Sequence, residues 1–182
     1  MQDSRKQKLM ELGVEVLADV LLMLANQTTE VNDRIERLIT PPSDFVQQFK
    51  MQLSQLKSSK YYYDWRGSSS FALELEMMLQ DIKLKVHDPL IGAELVAAFY
   101  EADEFIFEMC DDSGGEVGDV FRYHALELFA DYANRCTDKN KIINIIIELT
   151  QKDDYSVRSG LVDDAAQYFY KELVSNLIET FQ

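Results

Sequence analysis

Apolar residues recur along this chain at three- and four-residue steps, the spacing that gathers them on one face of an α-helix. Leu9, Leu12, Val16, Val20, Met23 and Leu24 form the first such series. Gly13 lies inside it, a residue that weakens a helix and suits close packing. Thr28 or Thr29 is placed to cap a second helix carrying Val31, Ile35, Leu38 and Ile39. Thr40, Pro41, Pro42 and Ser43 close that helix and open a third, because proline is tolerated in a first turn. The third buries Phe45, Val46, Phe49, Leu53 and Leu56. The period lapses over residues 57–70, KSSKYYYDWRGSSS, which reads as a loop with Ser68, Ser69 or Ser70 as the next cap. A further helix shows Phe71, Leu75, Met78, Leu79, Ile82 and Val86 on one face. After His87, Asp88 caps a helix with Pro89 at its first position. That helix runs through Leu95, Phe99, Phe105 and Ile106, with a kink expected near Asp103.

From Cys110 onward the pattern repeats. The stretch CDDSGGEVGDVFR leads into a helix with Val120, Phe121, Ala125, Leu128, Phe129 and Tyr132. A helix over 137–151, capped by Thr137, holds the isoleucine run Ile142, Ile143, Ile145, Ile146 and Ile147. Then DDYSVR leads into a helix with Leu161, Val162, Ala165, Ala166 and Phe169. Each turn reads Asp-Asp, a spacer, valine and then arginine, and Arg122 and Arg158 lie 36 positions apart. That distance suits a repeating helix pair. In this reading the arginine bonds an aspartate of the turn and the carbonyls ending the preceding helix. Asp111, Asp112 and Arg122 hold one turn, and Asp153, Asp154 and Arg158 the other. Small residues, Ala125, Ala165 and Ala166, let neighbouring helices approach closely. The expectation is an all-α chain forming one helical domain over 1–182. Its N-terminal helices span 1–60, and an array of stacked hairpins, solenoid-like and HEAT-like, spans 69–182.

Composition adds limits. Of 182 residues, 47% are hydrophobic, enough for a packed core. Residues 1–70 hold 9 basic and 9 acidic side chains, and residues 71–182 hold 9 and 23, so the whole excess of −14 lies in the second stretch. Such a surface repels phosphate backbones and disfavours nucleic acid as a partner; it serves solubility first, and a basic protein partner is compatible with it. Two cysteines, Cys110 and Cys136, make no CxxC pair and fit a reduced, cytoplasmic protein. Glu11, Glu15 and Asp19 interrupt the apolar N-terminal run, so an amphipathic helix is expected there, with no membrane span.

Five segments occur in order: LADVLLMLANQ, RIERLITPP, the 57–70 loop, FALELEMMLQDI and CDDSGGEVGDVFR. Together with DDYSVR and the following DDAA they resemble a bacterial family catalogued as domain of unknown function 6880, over about residues 17–172. The resemblance implies no catalytic residue. It implies a loop before the fourth helix richer in arginine than KSSKYYYDW. It also implies longer relatives, so this chain is expected to be a short member or a piece of a longer protein, its ETFQ end falling inside a helical pattern.

Candidate chemistry is sparse. An EF-hand loop needs acids or amides at positions 1, 3 and 5, glycine at 6 and glutamate at 12. Started at Asp111, the frame puts Gly115 at 5, Glu116 at 6 and Arg122 at 12, and started at Asp112 it puts Tyr123 at 12. A different ion site using Asp111, Asp112, Glu116 and Asp119 remains as the alternative, a metal-binding regulator or enzyme. The competing structural reading gives Gly114 or Gly115 a positive φ, makes Asp119 a cap and puts Glu116 near a positive helix end. His87 and His124 make no spacing-based catalytic set with either cysteine, zinc spacing is missing, and no phosphate-binding glycine loop occurs. No cofactor is expected. Tyr61, Tyr62, Tyr63, Trp65 and Arg66, beside Lys57 and Lys60, form the candidate interaction segment. Their rings either fill a gap between helices or contact a protein, with base stacking the weaker option. The expected function is a non-enzymatic interaction or scaffold module.

Overall fold

The computed structural model describes residues 2–181, so Met1 and Gln182, the last residue of the ETFQ end, lie outside it. The chain is helical, and among the described residues no strand forms beyond one isolated bridge, Tyr63 to Cys110. It divides into two compact units, 1–41 and 42–182.

The first unit holds α1 (Gln2–Glu11), α2 (Val14–Ala25) and α3 (Thr29–Ile39). The first apolar series is therefore two helices. Gly13 takes φ +85°, a conformation most side chains avoid, and a Cβ there would meet nothing within 4 Å. Its role is to break the helix, not to admit a neighbour. The Thr28 hydroxyl accepts from Val31 N at 3.4 Å and caps α3, as expected. α2 packs against α3, yet no residue of α2 is buried.

The second unit contains a continuous apolar core. It begins with α4 (Pro42–Ser58), whose Phe45, Phe49 and Leu53 are buried at four-residue spacing. α5 (Ser68–Lys85) buries Phe71, Leu75, Met78, Leu79 and Ile82. None of the three candidate serines caps it. Its N-cap is Gly67, and the Asp64 carboxylate accepts from Arg66 N and Gly67 N at 3.1 Å each. α6 (Pro89–Tyr100) starts as expected, Asp88 accepting from Leu90 N and Ile91 N at 2.9 Å each. The expected kink is a full break before α7 (Asp103–Glu108).

A helical stretch over 116–135 follows, made of α8 (Glu116–Asp119), a π-helical turn (Val120–Ala125) and α9 (Leu126–Arg135). Within the widened turn the Phe121 carbonyl takes the buried Tyr100 hydroxyl at 2.9 Å. α9 lies close against α6. A Cβ on Gly92 would come 2.3 Å from the Tyr132 ring, so only glycine admits that ring there. The Tyr132 hydroxyl reaches Val86 O at 2.8 Å and Ile82 O at 3.1 Å, filling the end of α5. The isoleucine run is helical, in α10 (Lys139–Thr150), but its cap is Asp138, accepting from Lys141 N at 3.1 Å. Its last part departs further from expectation. The helix after DDYSVR is split into α11 (Gly160–Asp163) and α12 (Ala165–Tyr168), followed by α13 (Lys171–Phe181). Asn134 holds the break after α12, donating to Tyr168 O at 2.9 Å and accepting from Tyr170 N at 2.8 Å. Ala125 and Ala165 are buried at helix contacts, whereas Ala166 is exposed.

Candidate functional site

The aromatic segment and the acidic turn, far apart in sequence, meet at a single point. Tyr63 N donates to Met109 O at 2.8 Å, and Asp111 N donates to Tyr63 O at 2.9 Å. The Tyr63 ring stacks on Phe71 with centroids 4.2 Å apart and meets Tyr61 edge-on at 4.6 Å. Its half-buried hydroxyl, 3.5 Å from Glu74, has its pKa raised by burial and then by the Glu74 charge. Asp64 fixes the turn after Tyr63, and Ser68 Oγ donates to Trp65 O at 3.1 Å. One ring of the segment is thus an anchor that fills the gap between helices. Three others are not: Tyr61, Tyr62 and Trp65 are 65%, 58% and 62% exposed. Arg66 lies over the Trp65 ring and Lys57 over Phe105, each within reach of a cation–π contact. Beside them opens a cleft of about 260 Å³ lined by Lys57, Lys60, Tyr61, Tyr62, Phe105 and Glu108.

The acids of the turn point in separate directions. Asp111 accepts from Ser113 N at 3.1 Å. Asp112 accepts from Val117 N at 2.8 Å and Gly118 N at 2.9 Å, capping the 116–135 stretch. Glu116 folds back over Gly114 and accepts from Ser69 Oγ at 3.2 Å, bringing a negative charge to the start of α5, whose first turn has none of its own. Asp119, the expected cap, makes no capping bond and stands 4.0 Å from Arg122 Nη1 in solvent. Gly115 takes the positive φ, +84°. Among the described residues no group of three or more His, Cys, Asp or Glu has the arrangement of a metal site.

The second turn repeats the aspartate-to-backbone bonding, here to loop residues before α11. Asp153 accepts from Val157 N at 2.8 Å and Arg158 N at 3.0 Å. Hydrogen bonding therefore aligns Asp112 with Asp153 and Val117 with Val157. Arg158 then stands opposite Gly118, and the equivalence of Arg122 with Arg158 suggested by sequence gives way to this register. The two arginines consequently live in different surroundings. Arg122 is exposed, its guanidinium filling the space over Gly118 where a side chain would lie. Arg158 is buried. It forks onto Asp103 at 2.6 and 2.8 Å and donates to Leu149 O at 3.2 Å and Tyr100 O at 3.0 Å. The arginine does bond an aspartate and the end of the preceding helix, but its aspartate comes from α7, 55 residues away. Asp154 remains exposed.

Cys110, buried, donates to Ile106 O at 3.3 Å, and burial, with Asp112 and Asp111 nearby, pushes its thiol up to about 11. His124 stands 4.0 Å from Glu76, both partly exposed, and His87 is exposed. Asp103, Gly92, Tyr132 and Asn134 carry structural roles that sequence reasoning did not assign. The break at Asp103 was the one signal available. Among the described residues, no helix is long and apolar enough to cross a membrane.

A family model described as a family of unknown function, DUF6880, matches residues 4–182. No curated protein and no solved structure matches the chain.

Proposed function

We propose that this chain, which belongs to the family of unknown function DUF6880, is a non-enzymatic helical scaffold that holds a protein partner through the aromatic segment. One observation supports this most: Tyr63 fastens the segment to the helices while Tyr61, Tyr62 and Trp65 stand in water. Exposing three large rings costs solubility, and rigid aromatic anchors of this kind dominate protein interfaces because little side-chain freedom is lost on binding. The acidic balance of residues 71–182 is compatible with a basic partner surface, which long-range attraction would draw to the chain. It also argues against nucleic acid, despite Lys57, Lys60 and Arg66. The paired helices and the repeated aspartate-to-backbone bonds of their turns suit a HEAT-like scaffold that presents an extended surface. Two buried free thiols, Cys110 and Cys136, suit a reducing compartment, and we include a bacterial cytoplasmic setting in the reading.

The test compares the wild-type chain with a Tyr62→Ser, Trp65→Ser double variant. Neither ring supports the core, so the melting temperature should hold within about 2 °C. A partner captured by the wild type should lose about tenfold or more in affinity, as expected for interface anchors. An unchanged affinity removes the segment from the reading. Turnover of a small molecule, or stoichiometric calcium or magnesium binding lost on Asp112→Asn, would replace it with the metal or enzyme alternative.

A further inference from the structure

The 1–41 unit displays an apolar surface that its own helices leave in water. Between Val20 and Leu24 every residue of α2 is exposed, and the helix carries only two charges, Glu15 and Asp19, one turn apart. The nine exposed large apolar side chains of α2 and α3 range from 39% to 81% accessible. At roughly 100 Å² for a fully exposed aliphatic side chain, they present on the order of 500 Å². A monomer's largest apolar patch is about 300–600 Å². Each side of a standard protein interface contributes about 800 Å², some three-fifths of it apolar. The total is therefore comparable to the apolar share of one side of a stable interface. A helix that is apolar nearly all round is one that something covers.

We propose that a second copy of this chain covers it, the α2–α3 hairpins of two protomers packing into a symmetric helical bundle. Charge selects this occupant. Residues 1–41 hold 5 basic and 7 acidic side chains, a balance of −2, leaving −12 for residues 42–182. Two like-charged molecules meet most cheaply through their least charged part. That part also carries both signs, Glu15 and Asp19 on α2 against Arg37 on α3 and Lys8 on α1, as a self-complementary contact requires. A lipid surface fits less well. Helices that lie on membranes carry cations on the polar face, and the polar edge of α2 is Glu15 and Asp19, which anionic headgroups repel.

Sedimentation equilibrium on the full chain between about 1 and 100 µM tests the proposal, and should give twice the 21.0 kDa protomer mass at the upper concentration. Leu22→Glu with Met23→Lys should weaken the dimer at least tenfold, whereas Tyr170→Glu, on the exposed surface of 42–182, should leave it intact. Hydrogen exchange on the wild-type chain guards against misfolding of the variant: α2 amides should slow as concentration rises while α9 amides do not change. A 21.0 kDa species throughout, a dimer indifferent to the α2 changes, or a monomer that cosediments with phosphatidylglycerol vesicles would each overturn it.

Discussion

The side chain whose loss should cost most is Arg158. Its guanidinium is enclosed with Asp103 and two carbonyls, and among the described residues no buried side-chain nitrogen or oxygen lacks a partner. Removing one member of such a pair leaves a buried charge unanswered, at a cost of about 3–5 kcal/mol. Arg158→Ala and Asp103→Ala should each lower the urea midpoint by that equivalent. The Asp103→Leu, Arg158→Met double variant should recover much of the loss, because an apolar pair buries no charge. Arg122→Ala should change stability by no more than about 0.5 kcal/mol, since an exposed ion pair at 4.0 Å contributes little. Equal effects at Arg122 and Arg158 would contradict the register set by Asp112 and Asp153. The sequence announced an arginine bonded to an aspartate and a helix end, because the D…VR spacing is local. It did not announce Asp103, because a contact across 55 residues leaves no periodic trace. The same reasoning covers Cys110. Its thiol, pushed up to about 11, stays protonated at neutral pH, so iodoacetamide should label the native chain far more slowly than the urea-unfolded one. Equal rates at pH 8 would show that the thiol is open to solvent.

Among the elements, α6 and α9 show what the hydrophobic pattern could and could not reveal. Apolar spacing located both helices, and Asp88-Pro89 located the start of α6, because caps and faces are written within a few residues. The closeness of their contact depends on Gly92 lying under the Tyr132 ring. A lone glycine inside a helix carries no indication of what it faces. Gly92→Ala should therefore destabilise by about 1–3 kcal/mol, more than the gain in helix propensity alanine brings. An equilibrium melt that rose instead would mean that the ring moves aside freely. The last helical region was misread for a similar reason. Leu161, Val162, Ala165 and Phe169 keep a helical period, yet the chain breaks at Asp164 and again before Lys171. Asn134, on α9, supplies the hydrogen bonds that hold the second break. At the candidate interface, composition marked the segment and could not separate the anchoring ring, Tyr63, from the displayed ones. That distinction follows from two backbone hydrogen bonds to the chain around Cys110.

At the scale of the molecule, the −14 charge and four tyrosines of raised pKa act in the same direction as pH rises. Tyr63, Tyr100, Tyr132 and Tyr155 have raised pKa values with burial as the first cause, and Cys110 joins them. Each of these groups holds its proton more tightly in the folded chain than in the unfolded one. The stability they contribute is full below the unfolded values, near 9 for the thiol and 10 for the phenols, and is lost as pH climbs through the folded ones. Self-repulsion grows over the same range as these groups ionise. The urea midpoint should thus fall steadily between pH 8 and pH 11. Salt separates the two contributions, because it screens repulsion between exposed charges and barely reaches a buried phenol. Raising sodium chloride from about 20 to 500 mM, which cuts the screening length several-fold, should lift the midpoint at pH 8 and restore only part of the loss at pH 11. Full restoration by salt would mean that repulsion alone drives the alkaline transition. A midpoint flat across this range would mean that the hydroxyls of Tyr100 and Tyr132 do not keep their protons inside the core.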